Sequence, residues 1–169
     1  LPLGLDHILF VLGIFMLSRK FRPLILQVSV FTVAHTITLA LATLDLVSAP
    51  SNWVEPIIAL SIAVVALENI FFPGYRPIRL LVVFVFGLIH GLGFAGALSA
   101  FSLDPTSLAV GLFGFNLGVE GGQLAVLLLA FGATFWIRKE RAYRKWVVIP
   151  GSLLIAVTGI YWTIERIFF

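Results

Sequence analysis

The sequence predicts an all-α fold, a polytopic membrane bundle of about six transmembrane helices with both termini periplasmic. The composition is the first observation, because 60% of the 169 residues are hydrophobic and only 11% are charged. A soluble domain of this length needs far more surface charge to stay dissolved. The second observation is that apolar runs of about 20 residues, the length that crosses a bilayer, recur along the chain. We therefore expect residues 1–169 to form a single transmembrane domain.

The apolar runs divide the chain into six spans separated by short polar loops. The predicted spans are 3–17, 24–44, 54–72, 80–98, 108–137 and 146–168. The first is short for a bilayer crossing. The fifth has about 30 residues and would make roughly 45 Å of helix. It is therefore expected to tilt, to protrude from the bilayer or to break at its glycines.

The distribution of basic residues is the third observation, and it predicts the orientation. The first, third and fifth loops carry ten of the eleven Lys and Arg residues, and only Arg166 lies elsewhere. The second and fourth loops contain Asp45 and Asp104 and no Lys or Arg. The positive-inside rule then places both termini outside, in a multi-pass protein of the bacterial inner membrane. Because topology accounts for these basic residues, the pI near 9.7 does not indicate a nucleic-acid partner; the expected surroundings are the lipid bilayer.

Two features of the chain bear on processing and on thiol chemistry. The sequence contains no Cys, which excludes a disulfide framework and a thiolate metal site. It opens with LPLGLDH and has no charged region followed by a cleavage site. We therefore predict no signal peptide, and we expect a processed or truncated product.

Ionisable side chains inside the predicted spans point to a metal site. Such groups cost roughly 2.5–3.5 kcal/mol each at bilayer depth, so each needs a partner or a function. His35, His90 and Glu120 lie roughly 12–18 Å below the outer ends of their helices, at 1.5 Å per residue. Asp6 and His7 enter from the same side. These five residues are the predicted ligands, and imidazole with carboxylate suits Ni²⁺, Co²⁺ or Zn²⁺.

Further polar residues share helix faces with the predicted ligands. Thr32 and Thr38 lie on the face of His35, and Asn116 and Gln123 lie on the face of Glu120. We expect these four side chains to orient the ligands by hydrogen bonding. The alternative for any single histidine is a hydrogen bond between helices without a ligand.

Glycines and two more glutamates complete the sequence pattern. The stripes formed by Gly87 and Gly91, and by Gly114, Gly118 and Gly122, predict close approach of neighbouring helices. Glu55 is expected at the outer mouth of an ion path, or as a residue that stabilises the start of its helix. Glu68 is expected either on an exit path or in an ion pair with basic residues of the third loop.

At these residues the chain resembles the HupE/UreJ family of bacterial membrane proteins, specifically its second branch. The motifs that carry the resemblance are GLDHILF, FTVAHTITLALA, VEPIIALSIAVVALEN, FGLIHGLGFA and FNLGVEGGQ. The resemblance implies a bundle of six or seven spans and permease-type uptake of nickel or cobalt. It matches Asp6 and His7 to the family's metal-binding pair, and His90 to its later His-Gly motif. A histidine of the first motif would precede Leu1, and two ligands of the nickel-permease branch are replaced by Phe86 and Gly93.

Three functions remain open from the sequence. A permease for a divalent transition metal is favoured over an enzyme; without a nucleotide-binding motif, its driving force would be an ion gradient, the membrane potential or downstream trapping. A zinc-dependent intramembrane hydrolase is the first alternative. The second is an accessory subunit of a larger membrane complex, and a homo-oligomer is also compatible with the sequence.

Overall fold

A computed structural model describes residues 4–17, 20–72, 74, 76–99 and 105–169, and every regular element among them is helical. The helices are α1 (Leu5–Leu17), α2 (Phe21–Thr43), α3 (Ser51–Phe71), α4 (Ile78–Ser99), α5 (Pro105–Thr134) and α6 (Glu140–Phe168). The last of these contains a π-helical turn at Arg144–Val148. The prediction of an all-α bundle of about six helices is therefore confirmed.

Four of the helices are long and apolar enough to cross a membrane. Among the described residues these are α2, α3, α6 and the Val110–Thr134 part of α5. Two shorter apolar helices, α1 and the Ile78–Phe94 part of α4, accompany them. Of the three alternatives for the fifth span, a break at its glycines does not occur, because α5 is one continuous helix of 30 residues. The periplasmic position of the termini stays a prediction.

The bundle is built from two closely packed helix pairs with α1 between them. Helix α2 packs along α4, helix α3 packs along α6, and α1 contacts α2, α3, α5 and α6. Its 13 residues span only about 20 Å, but its inward side chains Phe10, Val11, Ile14 and Phe15 are almost completely buried. A short central helix thus brings its first turn, with Asp6 and His7, into the interior of the bundle.

Glycines permit the close approach within both pairs. A Cβ atom at Gly87 would lie 2.7 Å from the carbonyl oxygen of Phe31, and one at Gly91 would clash with the carbonyl oxygen of His35. A Cβ at Gly159 of α6 would lie 2.8 Å from the backbone nitrogen of Ala63 in α3. Since backbone atoms cannot yield as a flexible side chain can, these positions need glycine. The predicted packing role of Gly87 and Gly91 is confirmed.

The glycine stripe of α5 does not do what the sequence predicted. A Cβ at Gly114, Gly118 or Gly122 would meet no atom of the described residues within 4 Å, and Gly118 and Gly122 line a cavity instead. The polar residues of α5 make the contacts with α2: Gln123 accepts a hydrogen bond from Thr32. Helical spacing shows which residues share a face, but it does not show which face meets a neighbour.

Candidate metal site

The three histidines of the sequence meet in the interior, each from a different helix. His7 is in the first turn of α1, His35 is in α2 and His90 is in α4. The ring centre of His7 lies 5.2 Å from that of His35 and 5.0 Å from that of His90. His35 and His90 are completely buried, and His7 is 8% exposed. We call these residues the histidine cluster.

Local backbone geometry brings the histidine cluster together. Gly4 has a φ of 78°, a left-handed conformation that glycine adopts without strain, and its carbonyl oxygen accepts hydrogen bonds from the amides of His7 and Ile8. This turn starts α1 and sets the position of His7. Gly91 follows His90 directly and lies against the backbone of His35, so α2 and α4 approach each other closely at the cluster.

The imidazole nitrogens of the cluster are largely unpaired. Nε2 of His7, both ring nitrogens of His35 and Nδ1 of His90 are buried and have no hydrogen-bond partner among the described residues. A buried polar atom without a partner costs roughly 1–3 kcal/mol. A neutral imidazole has one N–H donor and one acceptor nitrogen, so each of the three rings has a lone pair suited to a cation.

Ser61 of α3 fixes the orientation of His90. The Ser61 Oγ donates its single proton to the carbonyl oxygen of Ile58 at 2.7 Å, because a carbonyl oxygen can only accept. The same Oγ lies 2.9 Å from Nε2 of His90 and must therefore accept the proton of that nitrogen. The lone pair of His90 is then on Nδ1, the nitrogen that has no partner.

Phenylalanine rings surround the histidine cluster. Phe31 and Phe94 lie edge-on to His7 with ring centres 5.6 and 4.9 Å away, and Phe10 lies 5.0 Å from His90. His35 is stacked between Phe31 and Phe115 at 6.1 and 6.3 Å. These rings exclude water from the imidazoles, and their π-faces are compatible with a nearby cation.

The spacing of the rings fits ligands of one small cation. An imidazole bound at about 2.0–2.1 Å has its ring centre roughly 3.2 Å from the ion, so two rings at a tetrahedral angle are roughly 5 Å apart. The observed 5.0 and 5.2 Å agree with this. Within the described part of the chain, however, no group of three His, Asp or Glu side chains has the arrangement of a preformed metal site. The ring plane of His7 is nearly perpendicular to those of His35 and His90, at 86° and 89°.

A cavity of about 830 Å³ leads to the cluster. Among the three histidines, His7 is the one that lines this cavity, and Gln123 and Glu55 line it as well. The remaining wall consists of Ser51 of α3 and of glycines and apolar side chains from α1, the turn before it, α4 and α5: Gly4, Ile8, Gly93, Phe94, Phe115, Gly118, Val119, Gly122 and Val126. His7 therefore separates the cavity from the fully buried His35 and His90.

Asp6, a predicted ligand, is bound by an arginine. Nη2 of Arg166 donates to both carboxylate oxygens of Asp6, at 3.0 and 3.1 Å. Nη1 of Arg166 donates to the carbonyl oxygen of Glu55 at 3.1 Å. In this ion pair the side chain of Arg166 is 10% exposed and that of Asp6 is 2% exposed. Asp6 is thus neutralised at the edge of the cluster, and its role as a metal ligand stays a prediction.

The role of Glu120 as a metal ligand also stays a prediction. Its side chain is exposed on α5, whereas Gln123 is buried against Thr32 and the Thr36 hydroxyl lies 2.8 Å from Oδ1 of Asn116. Thr38 donates to the carbonyl oxygen of Leu88 at 2.7 Å and so links α2 to α4. These contacts of the four polar residues lie between or within helices, and their role in orienting the ligands stays a prediction.

Glu68 belongs to a buried polar network at the other end of the bundle. Arg79 is completely buried; it donates to Glu68 at 2.9 Å and to Oε1 of Gln27 at 2.9 Å. Asn69 donates to the carbonyl oxygen of Gly13 at 2.8 Å. Glu68 was expected either on an exit path or in an ion pair with the third loop, and the structure contains the ion pair, with Arg79. Glu55, in contrast, lines the large cavity near the N-terminal end of α3.

Several residues of the site were missed by sequence reasoning. A local signal was available for the phenylalanines, because Phe10, Phe31, Phe86 and Phe94 are each three or four residues from a histidine and so share its helix face. No comparable signal marked Ser61 or Arg79, whose partners lie on other helices. Arg166 was distinguished in the sequence only as the single basic residue outside the three basic loops.

Fold and site together define a polytopic helical membrane protein with a buried histidine cluster beside a cavity. The family model described as HupE / UreJ protein matches residues 1–166, nearly the whole chain. The chain therefore belongs to the HupE/UreJ family, membrane proteins generally associated with nickel and cobalt transport. No curated protein and no solved structure gives a significant match to it.

Proposed function

We propose that this protein takes up a divalent transition-metal cation, Ni²⁺, Co²⁺ or Zn²⁺, and moves it through the bundle by way of the histidine cluster. The observation that supports this most strongly is that all three histidines of the chain converge from three helices. Four of their ring nitrogens have no hydrogen-bond partner among the described residues. Membership of a family associated with nickel and cobalt transport supports the same class of cargo.

The chemistry of the cluster suits a transient cargo. Neutral imidazole nitrogens bind borderline divalent cations, and the surrounding phenylalanines keep competing water away. Three neutral ligands leave the charge of the ion uncompensated in a medium of low dielectric constant, which limits the depth of the binding well. A transit site needs this property, because an ion that binds too tightly does not leave.

A route for the ion follows from the order of the polar groups. The cation enters the cavity beside Glu55, reaches His7 and exchanges onto His35 and His90. Further inward, the polar network of Arg79, Glu68 and Gln27 lies across the bundle. Glu68 must release Arg79 before it can accept the ion, so this network is the barrier at the inner end of the route.

Equilibrium metal binding to the purified protein in lipid nanodiscs tests the proposal. We expect about one equivalent of Ni²⁺, Co²⁺ or Zn²⁺ per chain, and more than about tenfold weaker binding after His7→Ala, His35→Ala or His90→Ala. Thr158→Ala is the control, because its hydroxyl bonds only within α6 to the carbonyl oxygen of Leu154. Binding that is absent, or that survives loss of all three imidazoles, contradicts the proposal.

The same preparation separates the alternative functions. Transport predicts a metal that chelator washing removes and that crosses the membrane of sealed proteoliposomes. A stoichiometric zinc ion that resists chelation, without flux, would instead indicate the hydrolase. Copurification of a fixed partner, with function intact after changes at His35 and His90, would indicate an accessory subunit.

A further inference from the structure

Arg166 is exceptional both in sequence and in structure. It is the single basic residue outside the three basic loops, and its side chain is folded inward onto Asp6. The guanidinium joins three helices, because it bonds Asp6 of α1 and the backbone of Glu55 in α3 from the last turn of α6. It also lies over the ring of Trp162, 5.5 Å from its centre.

The position of this ion pair makes it relevant to a cation. Asp6 directly precedes His7, whose Nε2 is buried and unpaired, and Asp6 itself is 1% exposed. The guanidinium of Arg166 is therefore bound to Asp6, the buried carboxylate that is nearest in sequence to the histidine cluster.

We propose that Arg166 is a built-in competitor of the cargo: it holds the Asp6 carboxylate until an incoming divalent cation displaces it. This inference rests on the proposed function, because it assumes that the cargo binds at the histidine cluster. The ion completes its ligand set with Asp6 only when the guanidinium leaves. Arg166 thereby keeps the apo site neutral and weakens the affinity for the ion.

The surroundings offer the displaced guanidinium another position. A second cavity of about 260 Å³ is lined by Arg166 together with Glu55, Glu165, Ser51, Asn52 and Phe169. Glu165 is exposed, and Glu55 and Ser51 also line the large cavity that reaches His7. Arg166 can therefore exchange the Asp6 carboxylate for one of these glutamates through rotation of its own side chain. The charge of the guanidinium remains compensated in both positions.

Metal titrations of four proteins in nanodiscs test this exchange: the wild type, Arg166→Gln, Asp6→Asn and the double variant. Arg166→Gln should bind Ni²⁺, Co²⁺ or Zn²⁺ on the order of tenfold more tightly than the wild type. In the Asp6→Asn background the same change should tighten binding less than about threefold. A merely structural or long-range effect of the Arg166 charge would give equal factors in both backgrounds and would overturn the inference.

Thermal unfolding supplies a second readout and guards against a folding defect. Without metal, Arg166→Gln should melt at a lower temperature than the wild type, because Asp6 is left buried without a counter-ion. Metal should then raise its melting temperature more than that of the wild type. If Arg166→Gln does not fold, Arg166→Lys keeps the charge with a single point of contact and should also bind the metal more tightly.

The outcomes distinguish this inference from the proposed function. Binding that depends on His90 but is not tightened by Arg166→Gln or Arg166→Lys overturns the competitor role and leaves the histidine site intact. Binding that no variant shows overturns both.

Discussion

At the residue scale, the buried ionisable groups differ in whether the protein supplies their partners. Asp6 and Glu68 each have an arginine, and those arginines make further hydrogen bonds. The three imidazoles lie beside one another in an aromatic environment, and four of their nitrogens have no hydrogen-bond partner in the described part of the chain. Histidines that only linked helices would be hydrogen-bonded across the bundle. The unpaired nitrogens therefore favour a ligand-binding role for the cluster.

The hydrogen bond between Ser61 and His90 leads to a prediction at this scale. Ser61→Ala should weaken metal binding by about 10–100-fold, because His90 loses the partner that places its lone pair on Nδ1. Ser61→Thr keeps the hydroxyl and should restore most of the affinity. The ¹⁵N chemical shifts of the His90 ring check the mechanism directly. A pure Nε2–H tautomer that persists in Ser61→Ala would refute it.

At the element scale, the approach of α4 to α2 decides the geometry of the cluster. His90 is followed by Gly91, and His35 contributes the carbonyl oxygen against which Gly91 packs. The interhelical spacing and the relative positions of the two imidazoles therefore depend on the same contact.

Alanine at Gly91 is a direct test of that contact. Gly91→Ala should lower the free energy of unfolding by about 1–3 kcal/mol and also weaken metal binding, because α2 and α4 must separate. Gly118→Ala is the matched control, since its Cβ would meet no described atom within 4 Å and lies on a cavity wall. The measurements are equilibrium unfolding in mixed micelles and a metal titration. Equal effects of the two substitutions would contradict the role of Gly91.

The buried arginine of α4 provides a second prediction for an element. Arg79→Gln should destabilise the protein by roughly 3–5 kcal/mol, because it breaks a buried ion pair and leaves Glu68 and Gln27 without their donor. Arg76→Gln is the control in the preceding loop; Arg76 is exposed and lies over the Phe72 ring, so a much smaller loss is expected. Unfolding in mixed micelles compares the two variants. A loss of similar size in both would refute the structural role of Arg79.

At the scale of the whole molecule, the alternating loop charges predict that the histidine cluster opens towards the outer face. The large cavity is lined at one end by Ser51 and Glu55, which follow the predicted outer loop. The network of Arg79, Glu68 and Gln27 lies towards the basic loops. In the proposed function, entry beside Glu55 and exit past Glu68 correspond to uptake into the cell.

The absence of Cys from the sequence makes this orientation easy to measure. Asn52→Cys should react with a membrane-impermeant maleimide in intact cells, because Asn52 is exposed at the predicted outer side. Arg141→Cys, exposed between α5 and α6, should react only after the membrane is permeabilised. The reverse pattern would invert the topology and turn the proposed uptake into export.

The sequence by itself indicated the membrane environment and the helical class. It also identified the ionisable residues inside the spans, which need a partner or a function. Hydropathy and charge are local quantities, so six apolar runs and their basic loops predict a helical bundle without any knowledge of contacts. They also single out His7, His35 and His90, since few ionisable residues lie within the spans.

Only the tertiary structure decided which of these residues are partners. Asp6 and Arg166 are 160 residues apart, and the open glycine face of α5 differs from the packed glycine face of α4 only in its neighbours. Such features depend on the rotation of each helix about its axis and on its position in the bundle. Both are determined by the summed packing of all helices, because no local pattern in one helix specifies the face that its neighbour presents.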